Sequence, residues 1–544
     1  MKAAELFVRQ LEEEGVTCLF GLPGEENLHL LEAVRKANLK VVITRHEQAA
    51  AFMAATFGRL TGRAGVCFST LGPGATNLVT GIVHSQLIGA PIVSISAQKP
   101  RKENWQAKFQ LVDVMSLMRP ITKKAFSIID PNTIPTVLRN AFKTAEAERP
   151  GAVHIELPED VAEEETNARV QKRGEARRPA PDPKAIDRAV ELIERAKNPL
   201  LIVSSGANRK RITPNLLAFL DKTGIYVVHT QMGKGVISDN CEYSLFTTGI
   251  HKRDYVNCGI DQADLIITVG YHIAEYPPFL WNEKQDKTIL NIDFVESEPD
   301  SYFNPAVEVI GDISHSLQKI EERISNRRAF PAFARTRSLI EKKIHENQES
   351  RYPLLPQEIV RSVREVMSPE DIVTLDNGIY KLWFSRLYPT FRANTFLLDN
   401  ALATMGAGLP AGIVAKMLFP HRKVLAVVGD GGFMMNSQEL ETAIRIQVPI
   451  VILLLNDNAY GFVKWKQRNL NFENFGTDLS NPDFVKYAES FGARGIRLER
   501  GQKLTQALAQ AFQLNQVVLV ECPIDYSVNY DVFSLELGSL VCPK

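Results

Sequence analysis

VLAVVGDGGFMMNSQELETAIRIQVPIVILLLNDNAY, residues Val424 to Tyr460, reads as a buried strand, a glycine-rich turn, a helix and a second buried strand running into a polar cluster. Asp430 closes the first strand and Asp457 the second. In a parallel βαβ unit the carboxyl ends of neighbouring strands lie side by side, so two acids far apart in sequence can meet there. The helix start, with its unpaired N–H groups, lies beside the pair. Asn436, three residues before Glu439, has the spacing of a capping box. Gly431 and Gly432 let backbone approach a ligand closely. Asp430, Asp457 and a turn carbonyl near Ala459 supply the kind of oxygens that hold Mg²⁺ together with phosphate. A bare GDG is equally what a tight turn looks like, and the second acid at the neighbouring strand end tips the reading towards a metal and a diphosphate.

The surrounding chain has 544 residues, enough for three to four ordinary domains. Lys plus Arg equals Asp plus Glu, 63 each, which leaves no basic field for nucleic acid or a membrane surface. The six cysteines are scattered without CxxC or Cys/His spacing, so neither structural zinc nor a disulfide framework is expected, and a reducing cytoplasm fits. The opening MKAAELFVRQLEEEG carries acids where a signal peptide would be apolar, and its Leu6, Phe7, Leu11 spacing predicts an amphipathic helix. The longest apolar run, Val448 to Leu455, is too short to cross a bilayer. A cytoplasmic protein with no membrane partner is expected.

Short β-branched runs alternate with helical stretches over most of the chain, which predicts an α/β fold of doubly wound parallel sheets. Residues 161–184 are charged and proline-rich and read as a linker. Tyr352-Pro353 and Pro356 mark a second boundary. The expected division is 1–165, 185–340 and 355–544. The first and third regions follow one plan: an alanine-rich helix (Ala49–Arg63; Ala401–Lys416), a buried strand, a glycine turn (Gly72-Pro73-Gly74; Gly429-Asp430-Gly431), an Asn, and a proline-initiated strand. Acids stand at both strand ends only in the third, so the first is expected to do a different job.

GDG followed by Asn456-Asp457, with 24 residues between Gly431 and Asn456, resembles the signature of thiamine diphosphate-dependent enzymes. Such enzymes have pyrimidine-binding, central and diphosphate-binding domains, in the order of the three regions here. The resemblance implies that Asp430, Asp457 and the carbonyl of Ala459 bind Mg²⁺. Many relatives have Asn in place of Asp457, so this chain adds a negative charge. It implies that Glu47, in RHEQAAAFMAATFGRLTG, hydrogen-bonds the cofactor's pyrimidine ring and starts proton removal from the thiazolium; alone, such an acid is more often a solvated helix-start residue. Met405, in LATMGAGLP, matches the residue that wedges the cofactor into a bent shape. Gly378, Ile379 and Tyr380 lie where relatives contact the diphosphate, with Ile379 offering backbone only. Gly24, Gly74, Asn77, Gly431, Gly432 and Tyr460 complete the implied cofactor set.

Five segments, GLPGEEN at 21–27, STLGPGATNL at 69–78, KFQLVD at 108–113, GYHIAEYPPFLWN at 270–282 and the opening stretch, are similar to the acetolactate synthases, above all the catabolic, flavin-free kind. The implied reaction decarboxylates pyruvate and joins the product to a second 2-oxo acid, giving 2-acetolactate. Such a site should be poor in acids and exclude water, and the chain has no adjacent histidine pair of the sort that decarboxylase relatives use. Gln110 and Phe109 match residues lining the family's active site. The implied substrate pocket also includes Phe462, Val463, Trp465 and Lys466, where the match is imperfect: Phe462 stands where methionine is common and Lys466 where tryptophan is. No GxGxxG follows a predicted strand, and FAD is not expected. The alternatives are a 2-oxo acid decarboxylase releasing an aldehyde, a flavin-dependent pyruvate oxidase and a non-catalytic cofactor-binding scaffold. The family also implies a homodimer or homotetramer, with Glu47 and Asp430 meeting between subunits.

Overall fold

Apolar runs with both faces covered favour parallel sheets, and every strand pair in the three sheets is parallel. The computed structural model describes residues 1–103, 109–174, 178–250, 254–325, 328–346, 351–540 and 542. The first sheet contains β1 (Cys18–Gly21), β2 (Lys40–Ile43), β3 (Gly65–Ser69), β4 (Ile92–Gln98), β5 (Lys124–Ser127) and β6 (Ala152–Pro158). The second contains β7 (Pro199–Val203), β8 (Tyr226–His229), β9 (Ser244–Thr247), β10 (Leu265–Val269), β11 (Thr288–Asp293) and β12 (Val307–Ile310). The third contains β13 (Ile372–Leu375), β14 (Phe396–Leu397), β15 (Val424–Gly429), β16 (Val451–Asn456), β17 (Arg494–Arg497) and β18 (Val518–Pro523).

The first sheet is ordered β2-β1-β3-β4-β6-β5 and the third β14-β13-β15-β16-β18-β17, so each first-sheet strand has its counterpart at the same place in the third. The central sheet is ordered differently, β12-β11-β10-β7-β8-β9. The likeness read from the sequence therefore extends to topology. The corresponding helices, Glu47–Thr61 and Gly408–Leu418, pack against each other.

The counterparts differ at their strand ends. Thr70 follows β3 and Lys99 follows β4, and both donate to the buried Glu26: Thr70 Oγ1 to Oε2 at 2.6 Å and Lys99 Nζ to Oε1 at 2.7 Å. In the third sheet the corresponding ends lead into Asp430 and Asp457.

Four expectations are corrected. The helix after β15 begins at Asp430, not near Asn436. Asn436 ends that helix, and its amide reaches Gln48 Oε1 and the Gly406 carbonyl, so no capping box forms. The helix predicted over Ala401–Lys416 begins at Gly408, because Asp399 Oδ1 accepts from the Ala401 and Leu402 N–H groups and Ala403 has φ +56°. Much of the stretch read as a linker lies along the first sheet's unit: Glu159–Glu163 is helical, the Gln171 N–H donates to Gln10 Oε1, and Arg173 pairs with Glu146. Finally, Cys258 and Cys542 form a disulfide, across a sequence separation of 284 that no spacing motif could reveal. No helix among the described residues is long and apolar enough to cross a membrane.

Candidate active site

β15 and β16 are neighbours in register, Gly429 opposite Leu455, so the residues that follow them emerge at one edge of the sheet. Asp430 opens the helix Asp430–Asn436. Asp457 begins a turn in which Asn458 has φ +54°, Leu479 N–H donates to the Asn458 carbonyl (2.8 Å), and Tyr460 N–H to that of Thr477 (2.9 Å). A cavity of about 340 Å³ opens there. It is lined by Gly378, Ile379, Tyr380, Met405, Asp430, Gly431, Gly432, Asp457, Ala459, Tyr460, Phe462 and Val463, as the resemblance implies, and also by Asn377, Lys381, Leu455 and Tyr526.

The glycines are there for space. A Cβ on Gly431 would lie 2.8 Å from the Tyr460 ring, one on Gly432 2.8 Å from Asp376 Oδ2, and one on Gly429 2.9 Å from the Tyr380 ring. The Tyr380 hydroxyl accepts from the Gly429 N–H at 2.9 Å, which fixes the ring as a wall.

Burial raises the carboxyl of Asp430, although Asn481 donates to its Oδ2 at 2.7 Å. Burial first, and the Asp430 carboxylate second, push Asp457 up to about 7, against the pull of Lys464. A buried acid and a half-buried one that repel each other are stabilised by a cation between them. Among the described residues no group of three or more His, Cys, Asp and Glu is placed to hold a metal. Metal binding here would draw on the two carboxylates, backbone oxygen and the ligand's own oxygens, the pattern usual for Mg²⁺. The donor set and the glycine-lined cradle therefore fit a magnesium diphosphate.

Two charged side chains escaped the sequence reading, Lys381 in the cavity lining and Asp376 just behind it. Asp376 follows β13, is fully buried, and accepts the Gly406 N–H on both oxygens at 2.9 Å; burial pushes it up to about 6. It is an acid at a strand end, like Asp430, and the same rule would have found it. Lys381 Nζ donates to Asn377 Oδ1 (2.8 Å), Asn400 Oδ1 (2.9 Å) and the Asp399 carbonyl (3.1 Å), and burial lowers it to about 8. It ties the turn after β13 to the loop that carries Met405.

The first-sheet residues form a second group. Glu47 opens the helix Glu47–Thr61, after an N-cap His46 whose Nδ1 accepts from the Gln48 N–H. Glu47 is buried and its Oε2 accepts from Asn77 Nδ2 at 3.0 Å, while a Cβ on Gly74 would stand 3.3 Å from Oε1. Gln110, at φ +61°, sets its carbonyl against Gly72, where a Cβ would be 2.5 Å away; Gln110 and Phe109 are exposed, Phe109 by 79%. Lys108, in the quoted KFQLVD, lies outside the described residues. Gly24 donates its N–H to Asn27 Oδ1 and leaves room for Thr70. Among the described residues, none of this group lines the cavity at β15 and β16. The groups do approach through their neighbours: the Arg45 N–H donates to Glu439 Oε1 at 3.0 Å.

Trp465 and Lys466 lie apart from the cavity lining. The Trp465 indole N–H donates to Ser534 Oγ (3.2 Å), and the Lys466 ammonium sits 4.7 Å from the Trp465 ring centre.

Comparison with known proteins covers both groups and the sheet between them. Residues 1–117 match the N-terminal TPP-binding domain of thiamine pyrophosphate enzymes, 186–320 the central domain and 376–522 the C-terminal TPP-binding domain. The acetolactate synthase of Bacillus subtilis is 34% identical, over 100% of this chain and 97% of its own. The catabolic acetolactate synthase of Raoultella terrigena is 32% identical, over 97% and 95%. The acetolactate synthase large subunit of Parasynechococcus marenigrum is 31% identical, over 94% and 86%. With likeness of this extent, and the paired acids and the glycine cradle in place, the chain belongs to the acetolactate synthase family of thiamine pyrophosphate enzymes.

Proposed function

We propose that the chain is a carboligase of the acetolactate synthase type, which binds thiamine diphosphate through Mg²⁺, decarboxylates pyruvate and joins the product to a second 2-oxo acid, giving 2-acetolactate. The observation that carries the reading is full-length similarity to acetolactate synthases together with a mutually repelling Asp430–Asp457 pair in a glycine-lined cavity. The cofactor, when bound, supplies a nucleophilic carbon and an electron sink that lets carbon dioxide leave.

Asp430, Asp457 and the Ala459 carbonyl hold the magnesium, while Gly431, Gly432, Gly378 and Ile379 offer backbone to the diphosphate. Met405 supports the cofactor ring. Glu47, a buried carboxyl steadied by Asn77, holds the proton that the cofactor's pyrimidine exchanges. Gly24 and Gly74 leave room beside it, and Gln110 with Phe109 contacts substrate. Phe462 and Val463 keep water from the reacting side, with Trp465 and Lys466 behind them. FAD is not needed for this reaction.

Because Glu47 does not line the cavity of its own chain, the working site pairs the first unit of one copy with the third unit of another, in a homodimer or a homotetramer. Exposed apolar side chains on both groups, Phe109 at 79% and Val463 at 48%, support that pairing. The units run over 1–165, 185–340 and 355–544, and the enzyme works in the cytoplasm. The test is product analysis after incubation with pyruvate, thiamine diphosphate and Mg²⁺, and then with 2-oxobutyrate added. The expected product is 2-acetolactate; acetaldehyde would replace the reading with a decarboxylase, and a yellow protein that consumes oxygen would replace it with an oxidase.

A further inference from the structure

Two helices wall the cofactor cavity, Tyr380–Leu387 through Tyr380 and Gly461–Asn469 through Phe462 and Val463. Each turns a tryptophan to the same buried side chain. Phe533 lies 4.7 Å from the Trp383 ring and 6.0 Å from the Trp465 ring, centre to centre, and is fully buried. Both indole N–H groups also donate into the segment that carries Phe533: Trp383 to Asn529 Oδ1 at 2.7 Å and Trp465 to Ser534 Oγ at 3.2 Å.

That segment is a wide π-type turn, Tyr530–Glu536, a rare geometry that recurs at functional positions. Its far end is tied to the central unit. Glu536 accepts from the Tyr255 hydroxyl at 2.8 Å and pairs with Lys343 at 3.4 Å. Cys542 is bonded to Cys258, on the same helix as Tyr255, Tyr255–Gln262. Cys258 is buried and Cys542 is the more exposed partner. The segment is thus a strap, latched to the central unit at one end and wedged by Phe533 between the two cavity walls.

We propose that Phe533 is a positioning residue for the cofactor site, and that the Cys258–Cys542 bond is the latch that keeps it there. The strap fixes the spacing of the two helices; opening the latch loosens Gly461–Asn469, with Phe462 and Val463, over the cavity. Opening is a two-electron reduction: a dithiol reductant gives up two electrons and two protons, the S–S bond breaks, Cys258 and Cys542 become thiols, and the reductant closes to its own disulfide. The inference rests on the cofactor-binding reading above, not on which product is made.

The test uses the full-length protein, with thiamine diphosphate and Mg²⁺ as the probe and intrinsic tryptophan fluorescence as the readout, since Trp383 and Trp465 are two of the four tryptophans. Alkylation of denatured protein should find four free thiols, Cys18, Cys67, Cys241 and Cys522, before reduction and all six after it. Reduction of the wild type, and Cys542→Ser without it, should each shift the emission and raise the half-saturating cofactor concentration severalfold, and reduction should add nothing to Cys542→Ser. Phe533→Ala should raise it by about tenfold, the equivalent of one lost aromatic contact, and Phe533→Leu by less. A Phe533→Ala protein with unchanged emission and cofactor affinity overturns the positioning role. Six free thiols before reduction, or a reduced wild type that behaves like the oxidised one, overturns the latch. If Phe533→Ala does not fold, the Cys542→Ser and reduction arms decide alone. A wild type that binds no thiamine diphosphate overturns the cofactor reading instead, and the emission shift on reduction then judges the strap by itself.

Discussion

Asn77 donates its side-chain amide to Glu47 Oε2 over 3.0 Å, joining two helices that follow β2 and β3, the strands on either side of β1 in the first sheet. The bond leaves Oε1 beside Gly74 and steadies the acid that the proposed function sets against the cofactor. Glu47→Gln should lower kcat by about 10²–10⁴-fold while leaving magnesium-dependent cofactor binding largely intact, because a general acid or base is lost but shape is kept. Asn77→Ala should cost about tenfold in kcat, the worth of one hydrogen bond to a charged group. Steady-state rates beside cofactor titrations check both.

On the proposed function, the Asp430–Asp457 pair sets the metal requirement. A chelator should strip the cofactor and added Mg²⁺ should restore it. Asp430→Asn should raise the half-saturating Mg²⁺ by at least about tenfold, since even partners that only orient a ligand are worth that much. Cofactor binding followed against Mg²⁺ concentration measures the change.

Gly432 faces Asp376 with no room for a methyl group. Gly432→Ala sets a Cβ 2.8 Å from a buried carboxylate oxygen that already holds the Gly406 N–H. A cost of about 1–3 kcal/mol in stability is expected from the overpacking, with weaker cofactor binding. Thermal unfolding with and without cofactor separates the two effects.

Glu439 makes stability depend on pH. It is fully buried where the first and third units meet, and burial pushes its carboxyl up to about 7 although it accepts from Thr442 and the Arg45 N–H. An acid whose folded pKa exceeds its unfolded value, about 4.3, binds more protons when folded, so stability falls as pH rises between those values and is level above them. Glu439→Gln keeps an acceptor without the charge. Its Tm should exceed that of the wild type at pH 8, and the gap should narrow steadily as the pH is lowered to 5.

The sequence made the sheets and the acid pair legible because β15 and β16 are apolar runs with an acid just past the end of each. The helix start after β15 was misplaced because local propensity reads Gly431-Gly432 as a turn. Tertiary contact decides otherwise, since Tyr460 and Asp376 occupy the space a Cβ would need. Lys381 was invisible because a lone lysine in a helix reads as solvated, and only the fold brings Asn377, Asn400 and the Asp399 carbonyl around its ammonium. The disulfide was missed for the same reason: its partners are far apart in sequence and each lacks a neighbouring cysteine. Phe533 carries no motif, and only the two tryptophans packed on it give it significance.

The first and third sheets share a strand order, and their ends are closed by opposite means. At β3 and β4 the positive charge is covalently tethered: the Lys99 ammonium is held on Glu26 beside Thr70, and that pair is made as soon as the chain folds. At β15 and β16 Lys464 draws on Asp457 from within the chain, and on the proposed function the rest of the positive charge comes from solution as magnesium. On that reading one edge is finished by folding alone, while the other stays exchangeable, able to trade its cation, and whatever the cation carries, after the protein is made.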